Sequence, residues 1–171
     1  MQSYRSVAPE QLENVFRLLG HDWALVTAAD GDHVNTMTVS WGGMGVLWHK
    51  PVAFLFIRPQ RHTYSLLEAT DGVSLSFFDE GFRPTLQFCG TASGRDCDKF
   101  KECGLTVCEK EGVPFVGEAR LVLLCRKLYA APLEPAAFID PALLKSYTGD
   151  DLHKMYIVEI KEALLRDRNE E

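Results

Sequence analysis

The sequence predicts a mainly β domain, an antiparallel barrel with short helices on its outside. Three observations lead there. Segments rich in β-branched, aromatic and other apolar residues recur at 23–28, 34–41, 52–58, 73–78, 119–131 and 155–164. The stretches of helical period between them are short. The regular strand–helix–strand alternation that builds a parallel sheet is missing. A chain of 171 residues can bury one full core. Residues 1–165 are therefore expected to form a single domain, with the charged end 166–171 as a tail.

Taken in order, residues 3–7 read as a short strand. Pro9 sits where a helix begins, Leu12, Val15, Phe16 and Leu19 follow at helical spacing, and Gly20 supplies a stop. Strand 23–28 leads through the Asp30-Gly31 turn signal to strand 34–41. Gly42, Gly43 and Gly45 interrupt the pattern. Strand 52–58 is apolar on both faces. Pro59 ends it and keeps Arg58 extended at its tip. A helix is expected over 62–70, a turn at Asp71-Gly72, and a strand over 73–78. Helices are predicted over 80–88 and 96–103, the latter closed by Gly104. A long strand follows at 119–131, a loop at 133–139, a helix at 141–147 capped by Asp140, and a last strand at 155–164.

Composition narrows the function. The apolar share is 46%, the charged share 25% and the formal net charge −6. That balance fits a globular domain and argues against a general affinity for nucleic acid or an anionic membrane. No apolar run approaches the ~18 residues of a membrane span, and the first residues lack the apolar segment of a secretory leader. Five cysteines, an odd number without secretory features, read as reduced thiols, so a cytoplasmic location is expected. The cysteine spacings and the histidines show no metal-ligand pattern, and no metal is expected. Phosphate-binding glycine motifs are absent too.

Two adjoining pieces carry chemistry. In strand 34–41, Thr36, Thr38 and Ser40 fall on one face and Asn35, Met37 and Val39 on the other. Three small hydroxyl residues in register would form a thin polar shelf against which a flat ring could reach backbone N–H groups. The same alternation also describes an ordinary solvent-facing strand. Beyond strand 52–58, Arg58, Arg61 and Thr63 gather at an apparent helix start, a setting suited to a phosphate. Two arginines flanking a surface turn would look the same. Ser93, ahead of the helix at 96–103, and Lys99 on it could add an anion contact or belong to a capped surface helix. His153 stands at a loop-to-strand junction, where a side chain can face a cleft.

In order along the chain, NTMTVSWG at 35–42, Lys50-Pro51, RPQRHT at 58–63, Cys89-Gly90, SGRDCDK at 93–99, Gly104-Leu105-Thr106 and ARLVLLCRKLY at 119–129 resemble the flavin reductase-like, FMN-binding split-barrel proteins, their flavoredoxin-like branch in particular. The resemblance implies an FMN-binding split β-barrel that forms a homodimer. It implies that Asn35, Thr36, Met37, Thr38, Ser40 and Trp41 line the flavin ring. It places Arg58, Arg61 and Thr63 on the phosphate side, with Ser93 and Lys99 as helpers, and counts Tyr64 among the cofactor-binding residues. His153 matches a family histidine near the nicotinamide side and is the catalytic candidate. Asp151 and Leu152 replace the family's compact Gly-Asp-His, and Val158 replaces a glycine. The function implied is an oxidoreductase passing electrons from NAD(P)H or a small redox protein through FMN to an acceptor. A non-catalytic FMN electron carrier is the alternative, and haem or a deazaflavin is a further ligand such a barrel could hold.

Overall fold

The computed structural model describes residues 4–12, 14–149 and 151–167. Its strands are β1 (Tyr4–Val7), β2 (Ala24–Asp30), β3 (His33–Val39), β4 (Gly42–Leu47), β5 (Lys50–Ile57), β6 (Gly72–Phe77), β7 (Val107–Lys110), β8 (Val113–Val116), β9 (Leu121–Pro132) and β10 (Lys154–Arg166). Three α-helices accompany them: α1 (His62–Ala69), α2 (Arg83–Thr91) and α3 (Lys99–Cys103). One antiparallel sheet runs β3-β2-β6-β9-β10-β5-β4, with β1 added to β10, and β7–β8 is a separate hairpin.

The long strand β10 explains how this sheet curls. Its first half pairs with β5 and its last residues with β1, while β9 follows it along its length. Register shifts between Ile157 and Val158 and between Ile160 and Glu162 bend the pair, as bulges do. The curl brings β3, at one end of the sheet, against β5 near the other.

Alternation along β2 then separates two cores. Val26 packs inside the barrel with Leu55, Leu75, Leu123 and Tyr156. Its neighbour Leu25 faces the opposite way, toward Leu86, Phe100, Phe115 and Val122 beneath α2, α3 and the hairpin. Strands covered on both faces read as continuous apolar runs. Where a polar residue enters, it is bonded: Ser74 donates its hydroxyl to the Pro114 carbonyl at 2.6 Å, and the Ser76 hydroxyl accepts from the Val116 N–H at 3.3 Å. These two bonds fasten the hairpin to β6.

Most elements lie where expected, and the departures have local causes. The N-terminal helix is a 3-10 turn, Pro9–Gln11, followed later by a π-helical turn, Arg17–Asp22, that runs through Gly20. Phe16, expected on its buried face, is 91% exposed. The glycine-interrupted stretch is strand β4, whose partner β5 supplies the order its composition lacks. At Gly42 a Cβ would run into the Phe54 carbonyl oxygen, so the glycine permits close approach of the two backbones. The 96–103 helix is shorter, starting after Asp98, whose carboxylate caps the N–H groups of Phe100 and Lys101. The 141–147 helix is a 3-10 segment, Pro141–Ser146, with Asp140 capping the Ala142 N–H. Of the expected tail, Arg166 closes β10 and residues 168–171 lie outside the described residues.

On the outer side of the sheet, Glu159 is 6% exposed. It accepts from Lys50 at 2.7 Å and from Arg126 at 3.0 Å, with Lys161 at 3.7 Å. The Lys50 bond, outweighing burial and joined by Arg126, lowers its carboxyl from 4.5 to about 2. A lowered folded value means that the stabilisation is complete above the unfolded value and is lost as pH falls through the folded one. Glu159→Gln is therefore expected to cost roughly 1–2 kcal/mol at pH 7, allowing for the exposure of its partners. The difference from the natural chain should vanish as the pH drops from about 4.5 towards 2, as read by urea unfolding across pH.

Candidate functional site

β3 pairs with β2 on one side only, which leaves its other edge open where the sheet curls towards β5. Along that edge lies a cleft of about 210 Å³. Met37, Thr38, Val39, Ser40 and Trp41 form its β3 side; Phe56, Arg58 and Arg61 come from β5 and the turn after it. Gly90 from α2 and His153 from the start of β10 complete the lining.

Pro59 stops β5 directly after Arg58, and the chain turns tightly, the Arg61 N–H donating to the Arg58 carbonyl. Both guanidinium groups thereby reach the cleft. Their surroundings differ. Arg58 donates to Asp151 at 2.5 Å and to the Ser146 carbonyl at 3.0 Å, and lies over the Tyr147 ring at 5.2 Å. Arg61 has one long contact, to the Cys89 carbonyl at 3.4 Å, and among the described residues no carboxylate lies within 4 Å of it. Burial, reinforced by the charge of Arg58, lowers its pKa. A half-buried cation without a counter-charge is suited to an incoming anion.

His153 is 8% exposed and sits between two rings, Trp41 at 5.2 Å and Tyr147 at 5.4 Å. Its Nδ1 lies 3.0 Å from the Tyr147 hydroxyl. Burial, then the neighbouring Arg58, lowers its pKa, with Asp151 acting in the opposite sense. Trp41 itself is 51% exposed, a flat apolar wall open to solvent.

Seven of the residues singled out in the sequence thus meet: Met37, Thr38, Ser40, Trp41, Arg58, Arg61 and His153. Six do not line the cleft. Asn35 donates its amide to the Thr63 hydroxyl at 2.9 Å, both side chains being buried. The Thr36 hydroxyl accepts from Thr27 and donates to the Val26 carbonyl. Lys99, 2% exposed, donates to the carbonyls of Thr36 and Cys89, each at 2.9 Å. The Ser93 hydroxyl accepts from the Arg95 N–H, and Tyr64 lies by the ammonium of Lys154.

The hydroxyl row is consequently not an open shelf. Thr38 donates to the Leu86 carbonyl at 2.5 Å, and α2 and α3 pack over this face of β3. What β3 presents to the cleft is its edge. Val39 and Phe56 read as core residues from the sequence, and Gly90, of the Cys89-Gly90 pair, packs beside Thr38 in the fold, where a Cβ would make an ordinary contact.

The donor set fits a flat, phosphorylated group: an uncompensated guanidinium, an open strand edge and an exposed indole share one cleft. Comparison with known proteins agrees with the architecture. An FMN-binding domain of a flavin reductases-like enzyme from Shewanella baltica has a TM-score of 0.70 at 20% identity, over 96% of this chain and 78% of that one. Flavoredoxin of Desulfovibrio vulgaris gives 0.67 at 22%, over 94% and 78%. An NADH:FAD oxidoreductase of Streptomyces globisporus gives 0.62 at 17%, over 85% and 77%. At these low identities the structural likeness shows a shared split-barrel fold. Among curated proteins none matches the sequence. The profile of the flavin reductase like domain matches residues 16–171, nearly the whole barrel with every residue lining the cleft, and the chain belongs to that family.

Proposed function

We propose that this protein is an FMN-binding oxidoreductase that passes electrons from NAD(P)H or a small redox protein through FMN to an acceptor. The observation that carries the reading is the uncompensated Arg61 guanidinium in a cleft walled by the open edge of β3. Bound FMN would supply the redox chemistry itself. Arg61 would hold the phosphate, and the backbone along Thr38, Val39 and Ser40 would orient the ring through its unpaired edge. Phe56 and Trp41 would shield it from water. His153 would face the second substrate. Among the described residues no helix is long and apolar enough to cross a membrane.

The cleft, at about 210 Å³, is smaller than the roughly 300–1,000 Å³ that encloses a typical ligand. Another surface is needed to complete it. Val46 and Trp48, at the β4–β5 hairpin, are 76% and 53% exposed, and Trp41 lies at the cleft itself. We therefore include a homodimer in the proposal, the second copy covering the cleft.

The test is anaerobic stopped-flow mixing of the FMN-loaded protein with NADH, NADPH or a reduced electron-transfer protein. Bleaching of the flavin band on mixing with one of them, over repeated turnovers with an acceptor, is the expected result. Tight FMN without reduction by any donor would leave a carrier rather than an enzyme, and failure to retain flavin would end the proposal.

A further inference from the structure

We infer that Tyr147 is a positioning residue that presents His153 to the cleft as an uncharged Nε2–H donor. The inference rests on the cleft being the ligand site proposed above. It begins with the imidazole plane. Trp41 and Tyr147 flank the ring, with interplanar angles of 48° and 79°. The bond between Nδ1 and the Tyr147 hydroxyl removes the remaining rotation. Nε2 has no hydrogen-bond partner among the described residues, and no buried side-chain nitrogen or oxygen is left without one. Nε2 is therefore accessible, and His153 lines the cleft.

The remaining question is which nitrogen carries the proton. The Arg58 guanidinium lies over the Tyr147 ring at 5.2 Å, and Phe138 meets that ring edge-on at 6.1 Å. A cation over the face draws density from the phenol, making its O–H a better donor and its oxygen a poorer acceptor. The hydroxyl then donates to Nδ1, and the imidazole proton resides on Nε2. Among the described residues, the charged groups around His153 are Arg58, which opposes protonation, and Asp151, which favours it. Asp151 is itself bonded to Arg58 and accepts from the Gln60 amide and the Thr148 N–H, so its charge is well occupied. Arg58 also holds the Ser146 carbonyl, next in sequence to Tyr147, which fixes the phenol where it acts.

The test is ¹⁵N NMR of the imidazole in ¹⁵N-histidine-labelled full-length protein, with His153→Gln used to assign the signal. In the flavin-free protein at pH 7.5 (about one unit above the ordinary histidine value), the Nε2–H tautomer is expected to dominate. Tyr147→Phe keeps the ring contacts and should convert it to a mixture of tautomers. A dominant Nδ1–H form, or unchanged tautomers in Tyr147→Phe, would overturn the positioning role. The tautomer is read without flavin, so it stands or falls separately from the proposed oxidoreductase activity.

Discussion

Arg61→Ala is expected to weaken FMN binding by about 2 kcal/mol, roughly 30-fold in Kd, while leaving riboflavin binding unchanged. The reason lies in what each cleft arginine already does. Arg58 is engaged by Asp151, by the Ser146 carbonyl and by the Tyr147 ring. A phosphate reaching it would compete with a carboxylate 2.5 Å away. Arg61 has its single long contact to the Cys89 carbonyl and carries the burial of its charge without an acidic partner. An anion there gains a charge-assisted bond and relieves the repulsion between the two guanidinium groups. Arg58→Ala should cost less at the phosphate and act mainly by releasing the 146–151 segment. Fluorescence titration with both flavins checks this. Equal losses for FMN and riboflavin in Arg61→Ala would remove the phosphate from this corner.

Much of this site is legible in the sequence because its residues come from two adjoining stretches, 37–41 and 56–61. Arg58 and Arg61 could be placed because Pro59 fixes the strand end locally. What covers the threonine face is not carried by the local sequence. Alternation assigns Thr36, Thr38 and Ser40 to one face but not what covers it, and helices α2 and α3 return from beyond residue 82 to do so. Lys99 shows the same limit. A lysine one residue after a helix-capping aspartate looks solvated, and only the fold turns its ammonium inward. Tyr147 left no local signal, since its importance comes from meeting His153 across a segment of irregular backbone.

Strands with continuous apolar character, such as β5 and the first half of β9 (121–125), could be located because burial on both faces imposes that composition. β4 could not. Its glycines oppose strand formation, and the strand exists because β5 offers six paired positions from Lys50 to Leu55. Tertiary pairing there overrides local preference. The hairpin β7–β8 is short and carries charge, and it is held by hydroxyl groups of β6 that are remote in sequence.

Lys99→Ala should destabilise the protein by about 3 kcal/mol, since it leaves a buried gap, the Thr36 carbonyl without the ammonium and the Cys89 carbonyl with only the long bond from Arg61. Lys99→Met, which fills the gap, should cost about 1.5 kcal/mol. The two carbonyls belong to β3 and α2, so the ammonium sets the distance between the strand edge and Gly90 on the opposite wall of the cleft. FMN and riboflavin should therefore both bind more weakly to Lys99→Met, by the same factor, unlike the phosphate-selective loss at Arg61. Burial, then the nearby Arg61, pulls the Lys99 pKa below 10.5. Between the lowered value and 10.5 the unfolded chain binds more protons than the folded one, so stability from this group rises with pH. The stability gap between the natural protein and Lys99→Met is thus expected to widen as pH rises through that window, because a neutral amine still donates to both carbonyls without the cost of a buried charge. A gap that narrows instead would mean that the charge itself, through a bound anion or a carboxylate, is what Lys99 contributes.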